Sequence, residues 1–484
     1  MLHSLSRDLR GLAARRFDVL VVGGGIYGLT VACDAAQRGL DVALIERNDF
    51  GSGSSFNHLR TIHGGLRYLQ TLDFGRARQS VRERRAIARV APWSVRPLPF
   101  VLPLYRSLTR GKAAMRVGFL LDRLVASDRN DLLPECLHLP YGRVIGRNEA
   151  ERKYPELQGL HIAGAAVWHD YVTLDADRLT LSWALAAADR GTSLANYVEA
   201  RMLTTAAGRV SGAVAVDRLA GDEFRISART VVNATGGAVN HLLRPFHADI
   251  ALPLLQAMNL VTSRPAPAAA IGGRSGSGRN LFLVPWQGRA LFGTWESSST
   301  REPGDLVVRD GDLSAFLTEL NQAFPSYHLT RDDVTLVHRG VVPARLNTGP
   351  LPALESREQV HEHRAEGLAG TISVAGTKYT TARAVAERIV DRLFALLNCP
   401  RRACASDSIP LPQVTLAGDD LLRYVAANEM VMTLADAVMR RTSLGALGCP
   451  DDTTLAHAAL VVGDVLGWSA DRRRDEVASV RLMY

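Results

Sequence analysis

The chain has 484 residues, 47% of them hydrophobic and 22% charged, so it is long enough to bury two or three cores and too apolar to stay disordered. Its formal charge of +8 is concentrated between Arg76 and Arg129, where 13 Lys/Arg face three acids; this stretch reads as the basic surface, and the rest is near neutral. The five cysteines include no C-x-x-C, and one C-x4-C has no nearby histidines, which excludes a zinc ribbon, predicts no bound metal and points to a reduced, cytoplasmic compartment.

In chain order, MLHSLSRDLRGLAARR is basic but has no secretory apolar core, and reads as a short amphipathic or frayed lead-in. No run approaches about 18 apolar residues, so no membrane span is expected. Phe17 to Val22 is a buried parallel strand by composition, and it ends in Gly23, Gly24 and Gly25 before a helical pattern over Ile26 to Arg38. In this G-x-G-x-x-G, Gly23 permits the tight turn, Gly25 lets the backbone approach a pyrophosphate at the helix N-terminus, and Gly28 lets helix and strand pack closely. Gly39 ends the helix and Asp41 to Ile45 forms the next strand. Glu46 then follows 21 residues after Gly25, where an acid accepts hydrogen bonds from ribose hydroxyls. Strand, glycine turn, helix, strand and acid in that order specify a dinucleotide site.

A helix is expected around Phe74 to Val90, after which Pro92, Pro97, Pro99 and Pro103 break the chain into extended pieces. A second amphipathic helix, Lys112 to Ser127, carries Val117, Phe119, Leu120, Leu121, Leu124 and Val125 amid Arg116 and Arg123; core packing is favoured over a membrane-surface role. The pattern then gives a helix over Asp175 to Asp189, a strand over Ser193 to Glu199, a hairpin over Gly208 to Ile226, and a strand Thr230 to Asn233 closed by Ala234, Thr235, Gly236 and Gly237. Residues 250 to 340 alternate strands around one helix, Leu313 to Phe324, as in an antiparallel sheet roofing a site. TISVAGTKYTT turns a strand into the helix Ala382 to Leu397, Arg401 to Gln413 reads as a linker, and 417 to 484 are helical. Only three cations are lysines: Lys112, Lys153 and Lys378.

GGGIYGLTVACDAAQRG, RTIHGGLRYLQ (Arg60 to Gln70), NATGG, LFLVPWQGRALFGTWE (Leu281 to Glu296), GTKYTTARAVAE (Gly376 to Glu387) and DAVMRRTSLGAL (Asp436 to Leu447) together resemble the FAD-dependent, membrane-associated glycerol-3-phosphate dehydrogenases, within the wider glycine and D-amino-acid oxidase fold. The resemblance implies an α/β fold: a Rossmann-type FAD-binding domain with an antiparallel-sheet substrate (cap) domain and a small C-terminal helical domain. The expected organisation is a discontinuous FAD-binding domain within 1–405 (about 16–90, 145–245 and 335–400), cap segments at about 91–144 and 246–334, and a shortened helical domain over 406–484. FAD is expected to be non-covalent, because no histidine or cysteine attachment motif is assignable. Its expected contacts are Gly23, Gly25, Gly28, Glu46, Arg47, Ser54, Ser55, Arg60, Thr61, Gly64 and Gly65 early in the chain, then Val198, Thr235, Gly236, Gly376, Lys378, Tyr379 and Thr380.

The implied reaction removes hydride from a secondary alcohol, which calls for a group to take the hydroxyl proton and cations to hold an anion. Arg67 and Tyr68 correspond to family residues lining the substrate site, and Lys378 to a lysine near flavin and substrate. His63 is either a proton acceptor or a brace fixing its loop against the flavin. Three departures stand out. Val342 replaces the arginine of a G-V-R-P motif, with Arg339 and Arg345 as candidate substitutes; Asn259 falls where the family has a histidine; and a serine-rich loop becomes Phe56, Asn57, His58, Leu59. The expectation is a dehydrogenase acting on a small anionic, phosphorylated substrate and passing electrons to a quinone or other acceptor. The alternative is an oxidase or dehydrogenase of the same fold acting on another hydroxy acid, an amine or a pathway-specific intermediate. Peripheral association with anionic lipid at the inner face of the cytoplasmic membrane is a further expectation, and a homodimer is left open. Nucleic acid is not expected as a partner, since the basic residues sit on predicted helices without interleaved exposed aromatics.

Overall fold

The computed structural model describes residues 3–107, 111–345 and 353–484. The first of two sheets is ordered Gln359–Glu362, Thr371–Ala375, Glu223–Asn233, Arg16–Val22, Val42–Ile45, Ser193–Ala195. Arg16–Val22 runs parallel to both neighbours, with Val19 opposite Val42 and Val22 opposite Asn233. Its residues from Val19 onward are buried without alternation, as expected of a strand covered on both faces. One cover is the helix Ile26–Gln37, which packs against the helices Ala176–Ala188 and Ala382–Leu397. Glu223–Asn233 is one strand where the sequence suggests two: its first half closes an antiparallel hairpin with Arg209–Asp217, and its second half continues beside Arg16–Val22.

The second sheet has ten strands, in the order Ala353–Leu354, Val334–Arg345, Leu254–Pro265, Arg289–Glu296, Asn280–Trp286, Ala270–Arg274, Val95–Leu104, Gly164–Thr173, Thr61–Ile62, with Arg143–Gly146 also on Gly164–Thr173. Every pairing is antiparallel except Ala270–Arg274 with Val95–Leu104. Helix Asp310–Ala323 covers part of it through Phe316 and Leu320. Val95–Leu104 is continuous despite its prolines. Pro97, Pro99 and Pro103 are two or four residues apart, so every missing N–H falls on one edge and the other edge stays paired with Gly164–Thr173. Arg143–Gly146, Gly164–Thr173 and Val334–Arg345, which the sequence grouped with the FAD-binding segments, lie in this second sheet; a strand's own pattern does not say which sheet it joins.

The C-terminal helices Gly418–Asn428, Asp452–Leu466 and Ala470–Arg481, with the helical turns 434–441, dock through buried charges. Asp49, just past the second strand, accepts hydrogen bonds from Arg440 Nε (2.5 Å), Arg441 Nη1, Arg441 Nη2 (2.6 Å) and Asn196 Nδ2 (3.0 Å). Arg440 also donates to Asp436 (2.7 Å), as does the Tyr197 hydroxyl (2.8 Å). The carboxylates of Asp49 and Asp436 and the Arg441 side chain are wholly buried.

The stretch 76–129 is less of a basic surface than its composition suggests. Arg84 is buried on Asp170, Arg78 and Arg85 share Asp128, and Arg129 pairs with Asp122. Arg82, Arg89, Arg96, Arg106, Arg116 and Arg123 remain exposed. The helix Lys112–Val125 also departs from expectation. Met115 and Phe119 face the core, but Val117, Leu120 and Leu124 are 59%, 60% and 71% exposed, so its apolar face is wider than the surface it covers. Among the described residues no helix is long and apolar enough to cross a membrane.

Candidate active site

A cleft of about 1430 Å³, open mouth included, runs along the C-terminal ends of the first sheet's parallel strands. Gly23, Gly25, Glu46 and Arg47 line it after the first two strands, with Ser54, Ser55 and Val198; Thr235 and Gly236 come from the end of the neighbouring strand Glu223–Asn233, and Gly376, Lys378 and Tyr379 from the turn after Thr371–Ala375. Gly23 has φ +109°, and a Cβ there would lie 2.5 Å from the Ala234 carbonyl oxygen. A Cβ on Gly28 would lie 1.8 Å from the Gly23 carbonyl oxygen, so Gly28 serves packing and does not line the cleft. The helix Ile26–Gln37 has no side-chain cap at Gly25, and Ser55 Oγ accepts the Ile26 N–H at 2.9 Å. The Glu46 carboxylate accepts the N–H groups of Gly24 (2.6 Å) and Asn48 (2.8 Å), and burial raises its pKa. A helix N-terminus for a pyrophosphate and a fixed carboxylate for a ribose are the donor and acceptor set that a flavin adenine dinucleotide requires.

Arg60, Thr61, Gly64, Gly65 and Thr380 do not reach the cleft wall. Arg60 is the clearest correction. Its side chain is fully buried, 3.1 Å from Asp177, 3.2 Å from His338 Nε2, and stacked over Phe56 and Trp286, because a guanidinium turned into the core needs a carboxylate and aromatic faces. Thr61 and Gly64 belong to the brace of the HGG loop. Asp170 accepts from the Gly64 N–H (2.8 Å), Trp168 Nε1 (3.2 Å), Arg84, and His63 Nδ1 (3.2 Å), while His63 Nε2 contacts the Thr61 hydroxyl (2.9 Å). Both ring nitrogens of His63 are thus engaged, which favours the brace over the proton acceptor. Burial alone would raise the Asp170 pKa, but Arg84 and His63 outweigh it and hold the carboxyl at about 2. That lies below the unfolded value of about 3.9, so its contribution to stability is complete above about pH 4 and is lost as pH falls towards 2. Asp170→Asn is expected to flatten acid unfolding in that window, followed by tryptophan fluorescence; a curve superimposable on wild type would remove Asp170 as the anchor.

Past the loop, Gly65 (φ +79°) starts the turn Leu66–Thr71, which presents Arg67 and Tyr68. Arg67 Nη2 donates to the Tyr68 hydroxyl at 3.2 Å, and Lys378 Nζ stands 4.2 Å from the Tyr68 ring centre. Burial lowers the Lys378 pKa; Tyr68 opposes that, and Arg67 and Arg76 add to it. Burial would raise the Tyr68 pKa, but Arg67 and Lys378 outweigh it and the net shift is downward. The Tyr27 hydroxyl donates to the Lys378 carbonyl oxygen at 3.0 Å and fixes that turn, while the Tyr379 hydroxyl is bonded to Thr180 (2.8 Å). Of the residues expected to carry chemistry, Arg67 and Tyr68 thus meet Lys378, and Lys378 lines the dinucleotide cleft.

The family model for FAD dependent oxidoreductases (DAO) matches residues 18–392. The chain belongs to the FAD dependent oxidoreductase family. FAD is its cofactor, and the residues of the cleft fit it. Similar curated proteins include a glycerol-3-phosphate dehydrogenase of Synechocystis sp., 29% identical over 412 residues (82% of this chain, 73% of that protein). The mitochondrial glycerol-3-phosphate dehydrogenase of Rattus norvegicus is 34% identical over 407 residues (79% of this chain), and the chain spans 53% of its length. The solved glycerol-3-phosphate dehydrogenase of Bacillus halodurans, complexed with FAD, has the same fold, with a TM-score of 0.74 at 22% identity, covering 100% of this chain and 98% of that one.

In this FAD dependent oxidoreductase two of the three departures explain each other. Asn259 is buried and donates to Asn57 Oδ1 (2.7 Å), Asn57 donates to the Ala257 carbonyl oxygen (2.8 Å), and the Thr294 hydroxyl donates to Asn259 Oδ1 (2.8 Å). Two of the changes are thus a mated pair, and Asn259 is buried away from the cleft wall. Val342 lines the cleft. Strand residues alternate faces, and the pairing of Val334–Arg345 with Leu254–Pro265 is regular from Val337 to Pro343, so Arg339 lies on the face opposite Val342. Arg345 is tied to Glu355 at 3.7 Å. Neither Arg339 nor Arg345 is part of the cleft wall. Asp170, Arg84 and Tyr27 escaped the sequence reading because nothing local marks them; the Asp170–His63 contact alone spans 107 positions.

Proposed function

We propose that this oxidoreductase removes hydride from a secondary alcohol of a small phosphorylated substrate of the glycerol 3-phosphate type, and hands the electrons to a quinone or other acceptor. The observation that carries this reading is the meeting of Arg67 and Tyr68 with Lys378, a residue of the cleft wall. Bound FAD supplies the hydride acceptor. Arg67 holds the anionic group and orients the Tyr68 phenol, and Lys378, partly desolvated, holds the substrate hydroxyl and takes its proton. Tyr68, itself buried, excludes water from that corner. Names of relatives support the substrate class. A hydroxy acid or amine is the second reading, favoured by Val342 and by the sequestered Asn259. The test is anaerobic bleaching of the flavin with a panel containing glycerol 3-phosphate, other phosphorylated polyols, hydroxy acids and amino acids. Bleaching by the phosphate supports the first reading, and bleaching by an amine alone replaces it with the second.

The acceptor side adds a proposal about lipid. Val117, Leu120 and Leu124 project outward between the exposed Arg116 and Arg123, and this helix packs beside the turn Leu66–Thr71. Apolar side chains flanked by cations suit the interface of an anionic bilayer, each cation contributing about 1 kcal/mol. The holoenzyme is expected to float with phosphatidylserine liposomes at low salt, and Leu120→Asp/Leu124→Asp to abolish flotation; flotation unaffected by that variant rules out this face.

A further inference from the structure

Three cations converge on one phenol with little negative charge to balance them. Around the Tyr68 ring centre stand Lys378 Nζ at 4.2 Å, Arg67 Cζ at 5.2 Å and Arg76 Cζ at 5.6 Å. They come from three separate elements: the turn before helix Ala382–Leu397, the turn Leu66–Thr71, and the first turn of helix Phe74–Val90. Among the described residues neither Arg67 nor Lys378 has a carboxylate partner. Arg76 has Asp73, at 3.3 Å, and Asp73 also lies 3.8 Å from Arg357. Like charges gathered this closely repel one another, and Arg67 and Arg76 both depress the Lys378 pKa. Such a cluster is pre-organised for a ligand that brings more than one negative charge. Arg76 is moreover held in place: Nη1 donates to Ser356 Oγ at 3.0 Å, and its side chain is mostly buried.

We propose that Arg76, together with Arg67, clamps the doubly charged anionic group of the substrate and takes over from the arginine that is missing at Val342. The inference rests on the phosphorylated-substrate reading above, and it assigns Arg76 a role that no sequence motif marked. On the sheet, Arg339 lies on the face opposite Val342 and outside the cleft wall, and Arg345 is paired with Glu355. Phosphate offers a guanidinium two oxygens at once, and Arg67 and Arg76 together supply two positive charges to match a dianion.

The test uses the holoenzyme and inorganic phosphate as the probe, with Kd from isothermal titration calorimetry and KM for glycerol 3-phosphate from flavin reduction. Arg76→Ala and Arg76→Gln are each expected to weaken phosphate binding and raise KM by about 10- to 100-fold, the loss of one charge-assisted contact, with kcat changed far less. Arg82→Ala, an exposed cation on the same helix, controls for overall charge and is expected to leave phosphate Kd unchanged. Adding Val342→Arg to Arg76→Gln is expected to recover part of the lost affinity. Unchanged phosphate Kd in both Arg76 variants, with FAD retained, overturns the clamp even if glycerol 3-phosphate reduces the flavin. Conversely, loss of phosphate binding in those variants, when glycerol 3-phosphate fails to reduce wild-type flavin, sinks the substrate reading and leaves the clamp standing.

Discussion

Replacing Asp49 by alanine is expected to destabilise the folded chain by about 3–5 kcal/mol, among the largest effects of any single substitution here. The reason is the pair of guanidinium groups left behind. Arg440 and Arg441 both donate to this one carboxylate, and both are almost entirely buried. Burial pushes the Asp49 pKa up, but the two arginines outweigh it and the net value falls well below the ordinary carboxylate range. The stability Asp49 contributes is therefore present above its unfolded pKa and lost only in strong acid. Urea denaturation of Asp49→Ala, followed by far-UV circular dichroism, measures the effect, and the asparagine variant is expected to lie between. A loss below about 1 kcal/mol in the alanine variant would show that the C-terminal helices are held by their apolar contacts instead.

Lys378→Met is expected to slow flavin reduction by roughly 10²- to 10⁴-fold while FAD stays bound, the range found when a general base is removed. The candidates for taking the substrate proton are few. Both His63 nitrogens are bonded, Asn259 is locked to Asn57 and Thr294, and Arg67 cannot deprotonate. Burial, assisted by Arg67 and Arg76, lowers the Lys378 pKa, so its neutral amine is populated at a lower pH than an exposed lysine allows. The rate of reduction should accordingly rise with pH and level off above that depressed value. Lys378→Arg discriminates between charge and proton transfer, since it keeps the cation and loses the titration. Its expected defect is as large as that of methionine. Rapid-mixing reduction of the Arg variant at wild-type speed would make Lys378 an electrostatic group only.

The parts of this molecule that could be read from its sequence are those whose determinants are local. Gly23 through Glu46 lie within one strand-helix-strand unit, and each glycine's task depends on neighbours a few positions away. The helices Phe74–Val90 and Ala382–Leu397 begin and end as expected because their signals sit at their ends: Asp73 caps the first, accepting the Arg76 N–H, and Asn398 closes the second in a left-handed conformation. Arg60 defeated the same reasoning. Its position between a serine-rich loop and a pair of glycines resembles a cofactor contact, but its partners Asp177 and His338 are 117 and 278 positions away and only the fold brings them in. Helix Lys112–Val125 shows a second limit: periodicity reveals an apolar stripe, not how much of it finds a partner. The departures at Asn57 and Asn259 looked like two losses and are one compensated exchange, visible only when two strands and a loop meet.

The strand order of the first sheet has a consequence for how this chain is made. Arg16–Val22 needs Glu223–Asn233 along one edge, and that strand in turn needs Thr371–Ala375. Roughly 200 residues separate Val22 from Glu223. At about 5–20 residues per second, the first strand leaves the ribosome some 10–40 s before its partner exists. For that interval an apolar strand presents unpaired N–H and C=O groups, the kind of edge that invites pairing with another chain. The same strand later positions the glycine turn at the cofactor, so the nascent chain carries its flavin-binding segment as an unpaired edge, and a holding chaperone that shields residues 16–45 until Glu223–Asn233 arrives is expected to raise the yield of holoenzyme.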